Sequence, residues 1–153
     1  MKTKSGISIK NKKASYEYFF LEEFTAGIVL AGTEIKSIRL GKTSLSDSYC
    51  MFFGNELFVA GMHIAEYKNS GFCQHQPKRN RKLLLTKKEL RKLKEKTQER
   101  GLTAIPISLF INEKGLAKLN IAIAKGKHSY DKRESIKEKD RKRDLENNLK
   151  LQA

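Results

Sequence analysis

The sequence predicts a mainly β domain, a small closed antiparallel barrel with a few short helices, followed by a charged C-terminal tail. Three observations carry this. Runs of β-branched and aromatic residues recur up to Ala124, separated by Gly-, Asn- and Pro-containing turns. Helical periodicity is confined to two short stretches. After Ala124 apolar residues become sparse while charge stays dense. With 153 residues the chain is long enough for one ordinary domain but not comfortably for two.

Taken in order, residues 1–10 read as a flexible lead. Residues 16–21 (YEYFFL) and 27–31 (GIVLA) read as strands. Residues 33–40 read as a short helix, with Ile35 and Ile38 on one face, Lys36 and Arg39 on another, and Gly41 at its C-terminal cap. Residues 47–53 and 56–64 read as strands joined by the tight turn Gly54-Asn55. A loop over 66–80 holds Gly71 and Pro77. The run Leu83-Leu84-Leu85 then meets Thr86 and Glu89, a capping-box spacing that opens a helix through about Arg100, with Leu90 and Leu93 as its apolar stripe. Residues 103–111 alternate, placing Ile105, Ile107, Leu109 and Ile111 on one face. Pro106 lacks a ladder donor and so belongs at an edge or a bulge. A turn over 112–115 leads to a last strand lined by Leu119, Ile121 and Ile123. Short antiparallel strands with one helix inserted late fit a barrel of the OB type over residues 1–124. Residues 125–153 form a basic tail whose apolar content is too low to offset its ordering entropy, so it is expected to be disordered in isolation and to fold on a partner.

Lys and Arg outnumber Asp and Glu by 32 to 17, a net charge of +15. The excess is uneven. Residues 77–100 hold 11 Lys/Arg against 3 Asp/Glu, and residues 125–153 hold 10 against 6, whereas residues 1–76 hold 9 against 7. Two clustered basic regions favour a polyanionic partner, and nucleic acid fits better than a membrane. No apolar run approaches the roughly 18 residues of a spanning helix, and the first residues lack the apolar segment of a signal peptide. A cytoplasmic, non-membrane protein is expected. Cys50 and Cys73 are expected to be free thiols. The histidines His63, His75 and His128 are scattered, and no metal-ligand or nucleophile motif appears. Neither enzymatic activity nor a metal or cofactor is expected.

Several stretches resemble the SsrA-binding protein (SmpB) family in order: Asn11-Lys-Lys-Ala14, Tyr16-Glu-Tyr-Phe19, Ala26-Gly-Ile-Val-Leu30, Gly32-Thr-Glu-Ile-Lys-Ser-Ile-Arg39, Gly41-Lys42, Ser46-Asp-Ser-Tyr49, Arg81-Lys-Leu-Leu-Leu85, Ala124-Lys-Gly-Lys127 and Asp131-Lys-Arg133. The resemblance implies a barrel that binds the tRNA-like domain of transfer-messenger RNA (tmRNA) and completes its shape. It also implies a tail that turns helical in the decoding centre and empty mRNA channel of a stalled ribosome. The implied protein is a monomer that meets alanyl-tRNA synthetase and elongation factor Tu only through tmRNA. On the same resemblance Asn11, Leu84 and Lys118 fall at tmRNA-binding positions. Lys12, Lys13, Lys36, Arg39, Arg79, Arg81 and Lys82 are candidate phosphate contacts. In the tail, Lys125, Lys127, Tyr130, Asp131, Lys132, Arg133, Ile136, Lys137 and Leu149 are the implied ribosome-facing residues, with Tyr130 in place of a common histidine and able to stack on a base. Thr25 stands where many members have glutamate, which puts one tmRNA contact in question. The alternative reading is a generic OB-type protein for single-stranded RNA.

Overall fold

The computed structural model describes residues 7–68 and 74–127, together with Arg143. Among the described residues, nine strands and three helices follow in chain order: β1 (Ser8–Lys10), α1 (Lys12–Glu17), β2 (Tyr18–Ile28), α2 (Gly32–Arg39), β3 (Thr43–Ser44), β4 (Tyr49–Phe53), β5 (Glu56–Ala60), β6 (His63–Ile64), β7 (Arg81–Leu84), α3 (Lys87–Thr97), β8 (Leu102–Ile111) and β9 (Ala117–Gly126). Seven strands form one antiparallel sheet in the order β1-β8-β9-β2-β7-β5-β4, and β3 pairs with β6 separately.

Contrary to expectation the barrel is not closed, because β1 and β4 remain sheet edges among the described residues. The sheet curls until β4 and β8 lie side by side. The seam between them stays open as a gap of about 330 Å³ lined by Cys50, Phe52, Leu102 and Ala104, with Thr97 and Gln98 at the end of α3 on its border. Helix α3 packs on β8 and β9 beside this gap, burying Leu93 completely. The concave face holds the main core, with Ala26, Ile38, Val59, Leu83, Leu109, Leu119, Ile121 and Ile123 among its members.

Local chemistry explains where the elements depart from the sequence reading. Residues 8–10, placed in a flexible lead, pair with Ser108–Phe110 as β1. Residues 12–17 are helical because Asn11 caps them, its Oδ1 accepting from the Ala14 N–H at 3.2 Å. The two strands expected over 16–21 and 27–31 are one strand, β2, with a bulge between Phe20 and Glu22. The strand expected over 56–64 breaks at Gly61, whose φ of 75° and close approach to the Asp47 carbonyl leave no room for a side chain. The Thr86–Glu89 capping box forms in both directions at 3.2 Å, and Pro106 sits at a bulge in the β8–β9 ladder. Strand β9 continues past Ala124 to Gly126.

One buried knot of charge joins α2 to β7. Glu34 and Arg81 are both fully buried. The Glu34 carboxylate accepts from the Ala31 N–H at 2.8 Å, from Arg79 Nε at 3.1 Å and Nη2 at 2.5 Å, and from Arg81 Nε. Arg81 spends its other donors on the carbonyls of Met62 (2.8 Å) and Pro77 (3.0 Å). Burial alone would push the Glu34 carboxyl up, but the bonds from Arg79, Ala31 and Arg81 outweigh it and hold the pKa below the usual glutamate range. A depressed folded pKa contributes stability above the unfolded value of about 4.3, lost as pH falls through the folded value. Glu34→Gln leaves Arg81 charged and uncompensated, so denaturant unfolding at pH 7 should show a loss of about 3–5 kcal/mol. The stability of the variant should also fall less steeply than that of the parent below about pH 4.3.

Candidate nucleic-acid interface

The convex face of the sheet is divided in two. Over one half of β8 and β9, helix α1 lies flat and buries Ala14 against Ile105 and Ala124. The other half is bare. There alternation sends Leu119 and Ile121 inward and Lys118 and Asn120 outward. The same alternation separates the two leucines of β7, leaving Leu83 2% exposed in the core and Leu84 53% exposed on the convex face.

Register then aligns a row across three strands. Gly27 of β2 lies opposite Leu84 of β7 on one side and Lys118 of β9 on the other. A methyl group at Gly27 would lie 3.3 Å from the Leu84 Cβ and 3.7 Å from the Lys118 Nζ. The glycine therefore leaves a saddle between an exposed leucine and an ammonium that has no ion pair or hydrogen bond among the described residues. Beside the row, Thr25 Oγ1 donates to Asn120 Oδ1 at 2.8 Å, and Asn120 Nδ2 donates to Ser108 Oγ at 2.9 Å. These polar side chains, with Lys118, Phe110 and Leu116, line an open groove of about 700 Å³. Asn120, Ser108 and Phe110 were not among the expected site residues. The signal for Asn120 was its i+2 spacing from Lys118 on an alternating strand.

The other expected residues divide by what they already hold. Arg81 is withdrawn from any phosphate role, since its guanidinium is buried and committed to Glu34 and carbonyls. Arg79 is half-buried, and its guanidinium binds Glu34 and the Val29 carbonyl. Asn11 is buried. Its Nδ2 donates to the Pro106 carbonyl at 2.9 Å, its Oδ1 accepts from the Ala14 N–H at 3.2 Å, and its backbone N–H donates to the Ile107 carbonyl at 2.8 Å, which clamps α1 to the β8 bulge. Lys12 is exposed, and Lys13 pairs with Asp47 at 2.6 Å. Lys82 pairs with Glu56 at 3.2 Å. Lys36 is exposed with its ammonium 5.4 Å from the Tyr67 ring centre, and Arg39 is exposed beside the Gly115 turn. Lys125 is exposed. Lys127 is tied down where the tail begins: its N–H donates to the Glu17 carbonyl at 2.8 Å, and its ammonium reaches the Ser15 carbonyl at 3.1 Å and lies 4.9 Å from the Phe19 ring centre. Tyr130, Asp131, Lys132, Arg133, Ile136, Lys137 and Leu149 lie outside the described residues, as does Cys73. Cys50 is buried with a free thiol, and burial pushes its pKa up.

A family model described as SmpB protein matches residues 8–151. This chain belongs to the SmpB family. It is 60% identical over 144 residues to the SsrA-binding protein of Phocaeicola vulgatus, covering 94% of this chain and 96% of that protein. It is 58% identical over 139 residues to that of Bacteroides thetaiotaomicron, covering 91% and 93%. A solved structure described as "tmRNA-SmpB: a journey to the center of the bacterial ribosome" matches with a TM-score of 0.69 and 38% identity, over 85% of this chain and 94% of that one. Among the described residues no helix is long and apolar enough to cross a membrane.

In this SmpB-family chain Asn11 clamps α1 to the β8 bulge. Asn11→Ala should lower unfolding stability by about 1–3 kcal/mol through loss of the cap and of the bond to Pro106. Asn11→Ser, which restores only the cap, should recover part of that loss in the same denaturant titration.

Proposed function

We propose that this chain binds tmRNA, completes its tRNA-like shape and carries it to stalled ribosomes, acting as a monomeric cytoplasmic RNA chaperone without catalysis of its own. The observation that carries the reading is the Leu84–Gly27–Lys118 row, an exposed apolar side chain and an ammonium without a partner among the described residues, held on one sheet with no side chain between them. Such a pair suits RNA that offers an unstacked base to the leucine and a phosphate to the lysine. The names of the relatives, and the tmRNA complex to which the fold is similar, support the same partner. The tail, rooted at Lys127, would then probe the decoding centre and the empty mRNA channel.

Binding to the tRNA-like domain of tmRNA at fixed salt tests the row. Leu84→Ala should weaken binding roughly tenfold through lost apolar contact. Lys118→Met should make the slope of log affinity against log salt shallower by about 0.7–0.9. If tRNA and an unstructured RNA of equal length competed as well as tmRNA, the generic single-strand reading would replace this one.

Because Lys127 completes the fold at its N–H, the cut that isolates the tail falls after it. A chain ending at Lys127 should keep tmRNA affinity within about twofold, since it retains every residue of the row, and should lose tagging of stalled nascent chains in a reconstituted translation assay. Loss of tmRNA binding with rescue retained would reverse this division of labour.

A further inference from the structure

Helix α3 carries more positive charge than its packing uses. Leu90, Leu93 and Thr97 turn toward the body. On one flank Lys92 pairs with Glu22 at 2.6 Å and Lys96 with Glu99 at 3.4 Å, so those cations are neutralised. On the opposite flank Lys87, Arg91 and Lys94 fall at i, i+4 and i+7, one above the other. None of the three has a carboxylate partner among the described residues. Lys94 donates only to neutral oxygens, the Gly54 carbonyl at 3.1 Å and Asn55 Oδ1 at 3.0 Å, and both Lys87 and Arg91 are exposed. Together they face the β4–β5 turn across a cleft of about 430 Å³ whose other walls are Phe52, Asn55 and Leu90. No carboxylate lines this cleft.

A row of three uncompensated cations over a partly apolar floor fits a run of phosphates. Its position selects the polyanion. Lys87 follows Leu84 by three residues, at most about 10 Å of chain, and Lys87 to Lys94 spans about 10 Å more along the helix axis. The basic row therefore begins where the Leu84–Gly27–Lys118 row ends. We propose that tmRNA bound at Leu84 and Lys118 continues along α3, with Lys87, Arg91 and Lys94 holding its backbone phosphates as a sequence-independent clamp. This rests on the tmRNA reading above.

The test uses the full-length chain and the tRNA-like domain of tmRNA across a salt series. Lys87→Gln with Arg91→Gln removes two cations and spares the turn held by Lys94. The double variant should bind roughly tenfold more weakly at physiological salt, with a log–log slope shallower by about 1.4–1.8 and an unchanged melting temperature. Lys92→Gln on the same helix, whose charge is already paired, should leave both affinity and slope near the parent values. If the double variant matches the parent while Lys118→Met weakens binding, the clamp is wrong and the tmRNA reading stands. If neither weakens binding, the reading beneath it fails. Equal losses for Lys92→Gln and the double variant would reduce the row to diffuse charge, and a loss confined to ribosomal subunits would reassign the helix to ribosomal RNA. Either result overturns the proposal.

Discussion

The bond on which this molecule most depends is the one between Glu34 and Arg81, two fully buried charges joined inside a small domain. Removing an ion pair from water costs several kcal/mol per ion, recovered only if every lone pair and donor finds a partner. Here nearly all do. The carboxylate receives Ala31, Arg79 and Arg81, and the Arg81 guanidinium reaches the carbonyls of Met62 and Pro77 as well. Neighbouring polar groups extend the knot. Ser37 Oγ donates to the Ala65 carbonyl at 2.7 Å, and buried His75 bridges Thr33 and the Ile64 carbonyl at 2.8 and 3.0 Å. Helix α2 is thus held by hydrogen bonds to three separated stretches of chain as much as by its one fully buried isoleucine.

That knot positions the convex surface. Arg81 opens β7, and a fixed Arg81 sets which face of the strand each following residue takes. Leu83 goes into the core, while Lys82 and Leu84 go out. Strand β7 then fixes the start of α3 two residues after it ends. Arg79 and Arg81 are committed to Glu34 and to backbone carbonyls, where a planar, always-charged fork satisfies several oxygens at once. The exposed lysines and Arg91 are left for the surface.

This division was only half legible in the sequence. Features that depend on near neighbours could be read: the Thr86–Glu89 capping box, the turn at Gly54-Asn55, and most strands. Pro106 was placed at an edge or a bulge; it sits at a bulge, which breaks the expected single face of β8, turning Ile105 toward α1 while Leu109 and Ile111 face the main core. Features that depend on distant partners could not. Arg81 and Glu34 are 47 residues apart, and Asn11 meets the Pro106 carbonyl across 95. Each reads locally as a polar surface group, and only tertiary pairing turns it into a structural one. Openness of the sheet belongs to the same class, since nothing in β4 or β8 alone says that the seam between them will stay unpaired with α3 beside it. Lys118 came from the family resemblance, and the alternation of β9 is what turns it outward. Within the Leu83-Leu84-Leu85 run, the sequence alone does not say which leucine faces out; the pairing of β7 turns Leu84 to the convex face.

Strand β9 gives the arrangement its mechanical sense. It carries Lys118 near one end and runs into Gly126 and Lys127 at the other, paired on both sides over most of its length. Nine residues at about 3.3 Å each place the convex row and the root of the tail at most about 30 Å apart. A central strand cannot shorten or pivot without breaking two ladders. Lys127 is in turn fixed by α1, which Asn11 clamps to the bulge of β8. If the row holds tmRNA and the tail reads the ribosome, the separation between the two contacts is set by a rigid strand and not by a linker. A rigid spacer lets the second contact form without a further search, because the entropy of placing it is already lost in folding. The buried asparagine at residue 11 contributes to that fixed separation by holding in place the helix against which the tail begins.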